Sequence, residues 1–227
     1  MSRHFVEQLE QLTERMLYMG SLVEKAIRLS IESLNSRDES LAGEVITRIE
    51  PQINDLHLEL DDRALQLLAL QQPMAVDLRL ITATMKINSD LERMGDQAVN
   101  IAQRALSIIT HPRFGPPVDI LGMAHTAQTM VKNALDCFVG RDSRLAQEVV
   151  LRDDEVDRYR DVAFRELIAS MIKDPTFIQQ ALDLILISRN LERIADHATN
   201  IAEDVIYMVL GRDIRHHAVE KASVSDE

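Results

Sequence analysis

Residues 87–103 read INSDLERMGDQAVNIAQ, and residues 187–203 read ISRNLERIADHATNIAE. Nine of these 17 aligned positions are identical, all at an offset of 100, so the chain carries one pattern twice. Within the first copy Ile87, Leu91, Met94, Ala98, Ile101, Ala105 and Ile108 step by three or four residues. That spacing places one apolar stripe on a helix of 3.6 residues per turn. Outward from this stretch, Leu41, Val45, Ile49, Ile53, Leu56, Leu60, Ala64 and Leu67 keep the same rhythm.

The duplication extends upstream. Leu41-Ala42 and Glu44-Val45 match Leu145-Ala146 and Glu148-Val149 at an offset of 104, as Arg37-Asp38 matches Arg141-Asp142. Val23 and Ala26 match Val131 and Ala134 at 108. Pro73, Pro112, Pro116, Pro117 and Pro175 fall between the periodic segments, where proline ends helices. The pattern predicts helices over about 4–35, 38–71, 74–109, 118–139, 142–172 and 175–210, the longest of them about 50 Å. Long helices with short joints pack most simply as antiparallel bundles. The expected fold is all-α: six long helices as two tandem three-helix bundles with internal pseudo-twofold symmetry. Residues 1–109 form the first repeat, 110–117 the linker, 118–215 the second repeat and 216–227 a disordered tail.

Composition narrows the function classes. The 227 residues include 37 acidic and 25 basic side chains, a net charge of −12, which argues against nucleic-acid binding through clustered Lys and Arg. A core without Trp and with ten Met suits packed helices. A single Cys137, flanked by apolar residues, reads as a packed thiol in a reducing compartment. No apolar run approaches the ~20 residues of a membrane span, and the N-terminus lacks a signal-peptide core. The expectation is a cytoplasmic protein without membrane insertion.

Each repeat carries Leu-Glu-Arg-x-x-Asp: Leu91, Glu92, Arg93 and Asp96, then Leu191, Glu192, Arg193 and Asp196, with Asn100 and Asn200 four residues on. At roughly 100° per residue, Glu92, Asp96 and Asn100 share a stripe opposite the apolar one. Carboxylates at i and i+4 repel by a few tenths of a kcal/mol, so a neighbouring Arg or a bound cation is expected to offset them. Glu50 with Asn54, and Asp153 with Asp157, repeat the spacing on helices two and five. Facing the motif across a groove, these side chains would bring four oxygen donors together per half, a set suited to Mg, Mn, Fe or Zn. The plainer reading of such a stripe is a solvated face or an interaction surface. His197 reads as a surface side chain or a supplementary ligand, and Arg93 and Arg193 are expected to pair with acids on an adjacent helix.

Residues 71–102 and 187–216, together with Pro-x-Ala-x-Asp-Leu-Arg at 73–79, resemble the PhoU family of phosphate-transport regulators. The resemblance spans nearly the whole chain. It implies two pseudosymmetric three-helix bundles, and a cytoplasmic protein that restrains phosphate uptake and the phosphate-starvation response. The implied partners are the ATPase subunit of the phosphate importer and the sensor histidine kinase, with a homodimer as the implied assembly. Some members hold multinuclear clusters of divalent or iron-type metal ions through E/D-x-x-x-D motifs. These map onto Glu92 with Asp96, Glu192 with Asp196, and Asp153 with Asp157. Helix two departs from that pattern, with Glu50 and Asn54 around Pro51, and Asp90 is matched by Asn190.

Two other classes compete with a regulatory adaptor. A carboxylate-bridged dimetal enzyme would need inward Glu-x-x-His pairs, and no Glu here has His three residues later. Phosphate-loop, G-x-S-x-G and H-E-x-x-H patterns are also missing. The third class is a scaffold that only assembles with copies of itself.

Overall fold

The computed structural model describes residues 3–112, 115, 118–212 and 214. Among these there is no strand. Six long helices run in order: α1 (Arg3–Ser36), α2 (Glu39–Glu44, Val45–Ile49 and Glu50–Gln71 in one continuous rod), α3 (Val76–Ile109), α4 (Ile120–Gly140), α5 (Ser143–Lys173) and α6 (Ile178–Leu210). The expected linker, 110–117, is described only in part, and the expected tail lies outside the described residues.

The repeated Arg-Asp joints share one chemistry. Arg37 and Arg141 close α1 and α4 in the left-handed conformation, with φ of 60° and 49°. The next residue, Asp38 or Asp142, accepts backbone N–H bonds from the first turn of the following helix, at 2.9 Å from Ser40 and 2.9 Å from Arg144. Each Asp thereby satisfies donors that a helix start leaves orphaned. The last helix begins later than periodicity predicts. Asp174 caps a short 3₁₀ turn, Pro175–Phe177, before α6.

Pro51 explains a second departure. It has no N–H to give the Thr47 carbonyl, and its ring crowds that oxygen. The chain answers with a π-helical turn over Val45–Ile49. A π-turn accommodates one extra residue, and the two halves show the extra residue directly. Buried Ala42 and Val45 match buried Ala146 and Val149 at 104, whereas buried Ile53, Leu60 and Ala64 match Val156, Ala163 and Leu167 at 103. Glu50 therefore holds in the first half the position that Asp153 holds in the second.

In each half the third helix packs against the other two, α3 on α1 and α2, and α6 on α4 and α5. The halves meet where α3 lies antiparallel on α6 and α1 touches α4. Both third helices are thus enclosed, and their apolar stripes, including Leu91, Met94, Leu191 and Ile194, are fully buried.

The α3–α6 seam is apolar in most of its contacts but is pinned by polar side-chain pairs. Lys86 reaches Asp204 at 2.9 Å, His197 Nδ1 donates to Asp90 Oδ1 at 2.8 Å, and Arg104 pairs with Asp183 at 3.4 Å. Asp183 is only 1% exposed and also accepts from Ser107 Oγ (2.7 Å) and Gln179 Nε2 (3.3 Å). These contacts join residue 90 to 197 and 104 to 183, which sets the pseudo-twofold axis near Met94 and Ile194. A buried carboxylate held by several donors stabilises one relative placement of the halves and is costly to break.

Candidate functional site

The repeated acids lie on the outer grooves, away from the core. Glu92 and Glu192 are half-buried, and Asp96 and Asp196 are exposed. In the second half the groove between α5 and α6 gathers Asp153, Asp157, Glu192 and Asp196. Arg160 enters from α5 and donates to Glu192 at 2.6 Å, with Asp157 at 2.9 Å and Asp161 at 3.0 Å. One guanidinium therefore serves three carboxylates, and it reaches neither Asp153 nor Asp196.

The consequence is visible in their protonation. Loss of solvent in the groove raises the Asp153 carboxyl above the usual carboxylate range, and Asp157, Asp154 and Glu192 push it further. Its only offset is a 3.3 Å hydrogen bond from Thr199 Oγ1. Asp196 is pushed up to about 6, again first by desolvation and then by Asp153, Glu192 and Asp157, while His197 draws it back. Desolvation and like charge both disfavour the ionised forms of Asp153 and Asp196, and neither carboxylate makes an ion pair.

The first half differs. Asn54 Nδ2 donates to Glu50 Oε1 at 2.7 Å, so the amide that replaces a carboxylate also occupies its partner. Glu92 and Asp96 make no hydrogen bond or ion pair with other described residues, and Asn100 is exposed.

Three expectations are corrected. Arg93 and Arg193 are exposed and pair with no acid among the described residues. At roughly 100° from the acid stripe they point away from the grooves, and Arg160, one turn along α5 from Asp157, takes the role expected of them. His197 is neither a free surface side chain nor a member of the acid row, because its ring is held by Asp90 across the seam. Asn200 also turns to Asp90, at 3.4 Å, and not to Glu192 or Asp196. Sequence reasoning missed the seam acids Asp90, Asp183 and Asp204. A usable signal was present in Asp183, an acid inside the apolar run ALDLILIS, at a position where the other half has Ala83.

Oxygen donors from two helices, with two carboxylates that make no ion pair, suit a hard cation in the second half. Asp153 and Asp196 would hold it, with Glu192 beside them. Among the described residues no group of three or more His, Cys, Asp or Glu side chains is placed to hold a metal ion, so the row offers a cation two carboxylates and not a full protein ligand set. The first half fits less well, since Asn54 spends its amide on Glu50.

These features define a class: a duplicated all-helical protein whose halves are locked through buried acids and whose outer grooves present rows of acids. The PhoU domain matches residues 16–105 and again residues 120–205. The chain belongs to the PhoU family. It is 41% identical over 218 residues to a phosphate-specific transport system accessory protein PhoU homolog of Pseudomonas aeruginosa, covering 95% of this chain and 89% of that one. A homolog of the same description from Aquifex aeolicus is 39% identical over 215 residues, with 95% and 97% covered. The crystal structure of PhoU from Pseudomonas aeruginosa superposes with a TM-score of 0.88 at 40% identity, covering 92% of this chain and all of that one. The phosphate transport system regulatory protein PhoU from Streptococcus pneumoniae superposes at 0.83 with 27% identity, covering 92% and 98%.

Proposed function

We propose that this protein is a cytoplasmic, non-catalytic accessory regulator of phosphate transport. It restrains uptake and the phosphate-starvation response by contacting the ATPase subunit of the phosphate importer and the sensor histidine kinase, and it acts as a homodimer. The observation that carries this reading is the likeness, over 95% of the chain, to a relative named as an accessory protein of phosphate-specific transport. No described helix is long and apolar enough to cross a membrane, which is compatible with docking on a membrane complex from outside the bilayer. The acid rows are the surface such a protein offers, and the second-half row takes a divalent or iron-type cation through Asp153 and Asp196. A bound cation would neutralise the groove and let a partner approach it.

The test is genetic and direct. In a strain lacking this gene, a phosphate-starvation reporter is expected to fire in phosphate-rich medium and to be silenced by the wild-type gene. A reporter that stays silent without the gene in phosphate-rich medium would remove the regulatory reading.

A further inference from the structure

The groove between α5 and α6 changes character along its length. Thr199 meets Asp153, Arg160 meets Glu192, and further along Phe164 lines the groove with Ile185 and Ser188, so the two helices run antiparallel. One end carries the acid row, in which Asp153 and Asp196 make no ion pair. The other end is apolar. Phe164 is 48% exposed, and Ile178 and Leu182, on the same face of α6 as Ile185, are each 43% exposed. Arg160 and Arg189 stand where the two ends meet.

Apolar side chains left singly in solvent are ordinary, but gathered beside a polar rim they mark an interaction site. The duplication shows that the fold does not need them here. At the offsets that relate the halves, Phe164 corresponds to Asp61, Leu182 to Thr82 and Leu186 to Lys86. In the first half this stretch is polar and tied up. Buried Asn88 donates to Asp61 Oδ1 and to the His57 carbonyl, each at 2.9 Å, and Lys86 pairs with Asp204. The exposed apolar end is thus peculiar to the second half and is not a demand of bundle packing.

We propose that the α5–α6 groove receives an amphipathic helix of a partner protein, with Lys or Arg at the end that meets Asp153 and Asp196 and bulky apolar side chains that cover Phe164, Leu182 and Ile178. Charge selects this occupant. A second copy of the chain brings a net charge of −12, and a cytoplasmic membrane surface is anionic, so the acid end repels both. A basic head followed by apolar anchors at helical spacing complements both ends at once. The proposal rests on the reading of the acid row as a partner surface and adds the chemistry of what enters it. Silencing of the starvation reporter tests the gene as a whole, so that reading can stand where this one fails.

The probe is a fluorescein-labelled helical peptide of about 18 residues, long enough to follow the groove from Asp153 to Met171 at about 1.5 Å per residue. Its first two turns carry Lys and Arg, and Leu lines one face of the remainder. A twin peptide carries Glu in place of Lys and Arg. Anisotropy is read with the full chain at neutral pH in EDTA. The wild type is expected to bind the basic peptide saturably and the twin at least about tenfold more weakly. Phe164→Asn with Leu182→Thr, and separately Asp153→Asn with Asp196→Asn, are each expected to weaken binding about tenfold with helical circular dichroism unchanged. Glu92→Gln with Asp96→Asn, in the first half, should bind as wild type. No saturable binding, equal affinity for the two peptides, or an affinity unmoved by Phe164→Asn with Leu182→Thr would each overturn the proposal. So would sedimentation in which that variant alone turns a dimer into a monomer, which would give the groove to a second copy. Co-pelleting of the wild type, but not that variant, with anionic lipid vesicles would overturn it in favour of a lipid surface.

Discussion

Replacing Asp196 by Asn is expected to stabilise the protein at neutral pH, and the size of the gain follows from the groove. Burial and the neighbouring Asp153, Glu192 and Asp157 lift the folded-state carboxyl from an ordinary 3.8 to about 6. Each pKa unit corresponds to about 1.4 kcal/mol between the two protonation states, which puts a ceiling of about 3 kcal/mol on the cost of ionising Asp196. Asp196 is exposed, and solvent and salt screen such charges, so about 1 kcal/mol is the working figure. The sign follows from linkage. A carboxyl raised in the folded state binds more protons folded than unfolded, so stability falls as pH rises between about 4 and 6 and stays at its lower level above 6. Asn cannot ionise, and the variant avoids that loss. Urea unfolding of wild type and Asp196→Asn at pH 7.5 and near pH 4 provides the assay, with unchanged m-values as the check that only stability moved. The variant is expected to lead by about 1 kcal/mol, or roughly 2–4 °C in Tm, at pH 7.5, and the lead should close on acidification. A variant less stable than wild type at pH 7.5, or a lead independent of pH, would refute the reasoning.

Three further outcomes are expected. Asp183→Ala leaves Arg104 facing a buried gap and frees Ser107 and Gln179, and a loss of about 3 kcal/mol in chemical unfolding is expected. Arg160→Ala removes the one cation that serves Glu192, Asp157 and Asp161, and a smaller loss of about 1–2 kcal/mol is expected, shrinking when Mn²⁺ is added. Cys137 is fully buried with its thiol pushed up to about 12, chiefly by desolvation, so a thiol reagent at pH 8 should label it only in denaturant.

The six helices were legible because a 3.6-residue stripe is a local signal, and the duplication made it legible twice. The joints at Arg37-Asp38 and Arg141-Asp142 were visible as a repeated pair, although the left-handed arginine and the Asp cap appear only in three dimensions. The change of offset from 104 to 103 along α2 shows only once the buried positions of the two halves are aligned, and Pro51 with its π-turn accounts for it. The acids were correctly set outside the core by their angle from Leu91 and Leu191. Their electrostatic inequality was not legible. It depends on Arg160 reaching across a groove to Glu192, on Asn54 turning back on Glu50, and on solvent loss at Asp153 and Asp196. The seam acids escaped for the same reason, because Asp183 makes sense only once Arg104 of the other half lies beside it.

The proposed role of the second-half acid row is that of a surface kept for a partner. The direct measurement is co-purification of the importer ATPase subunit from phosphate-fed cells with wild-type protein and with an Asp153→Asn, Asp196→Asn double variant of unimpaired thermal stability. The wild type is expected to retain the ATPase subunit and the variant to lose at least tenfold. Equal recovery with both proteins would contradict it.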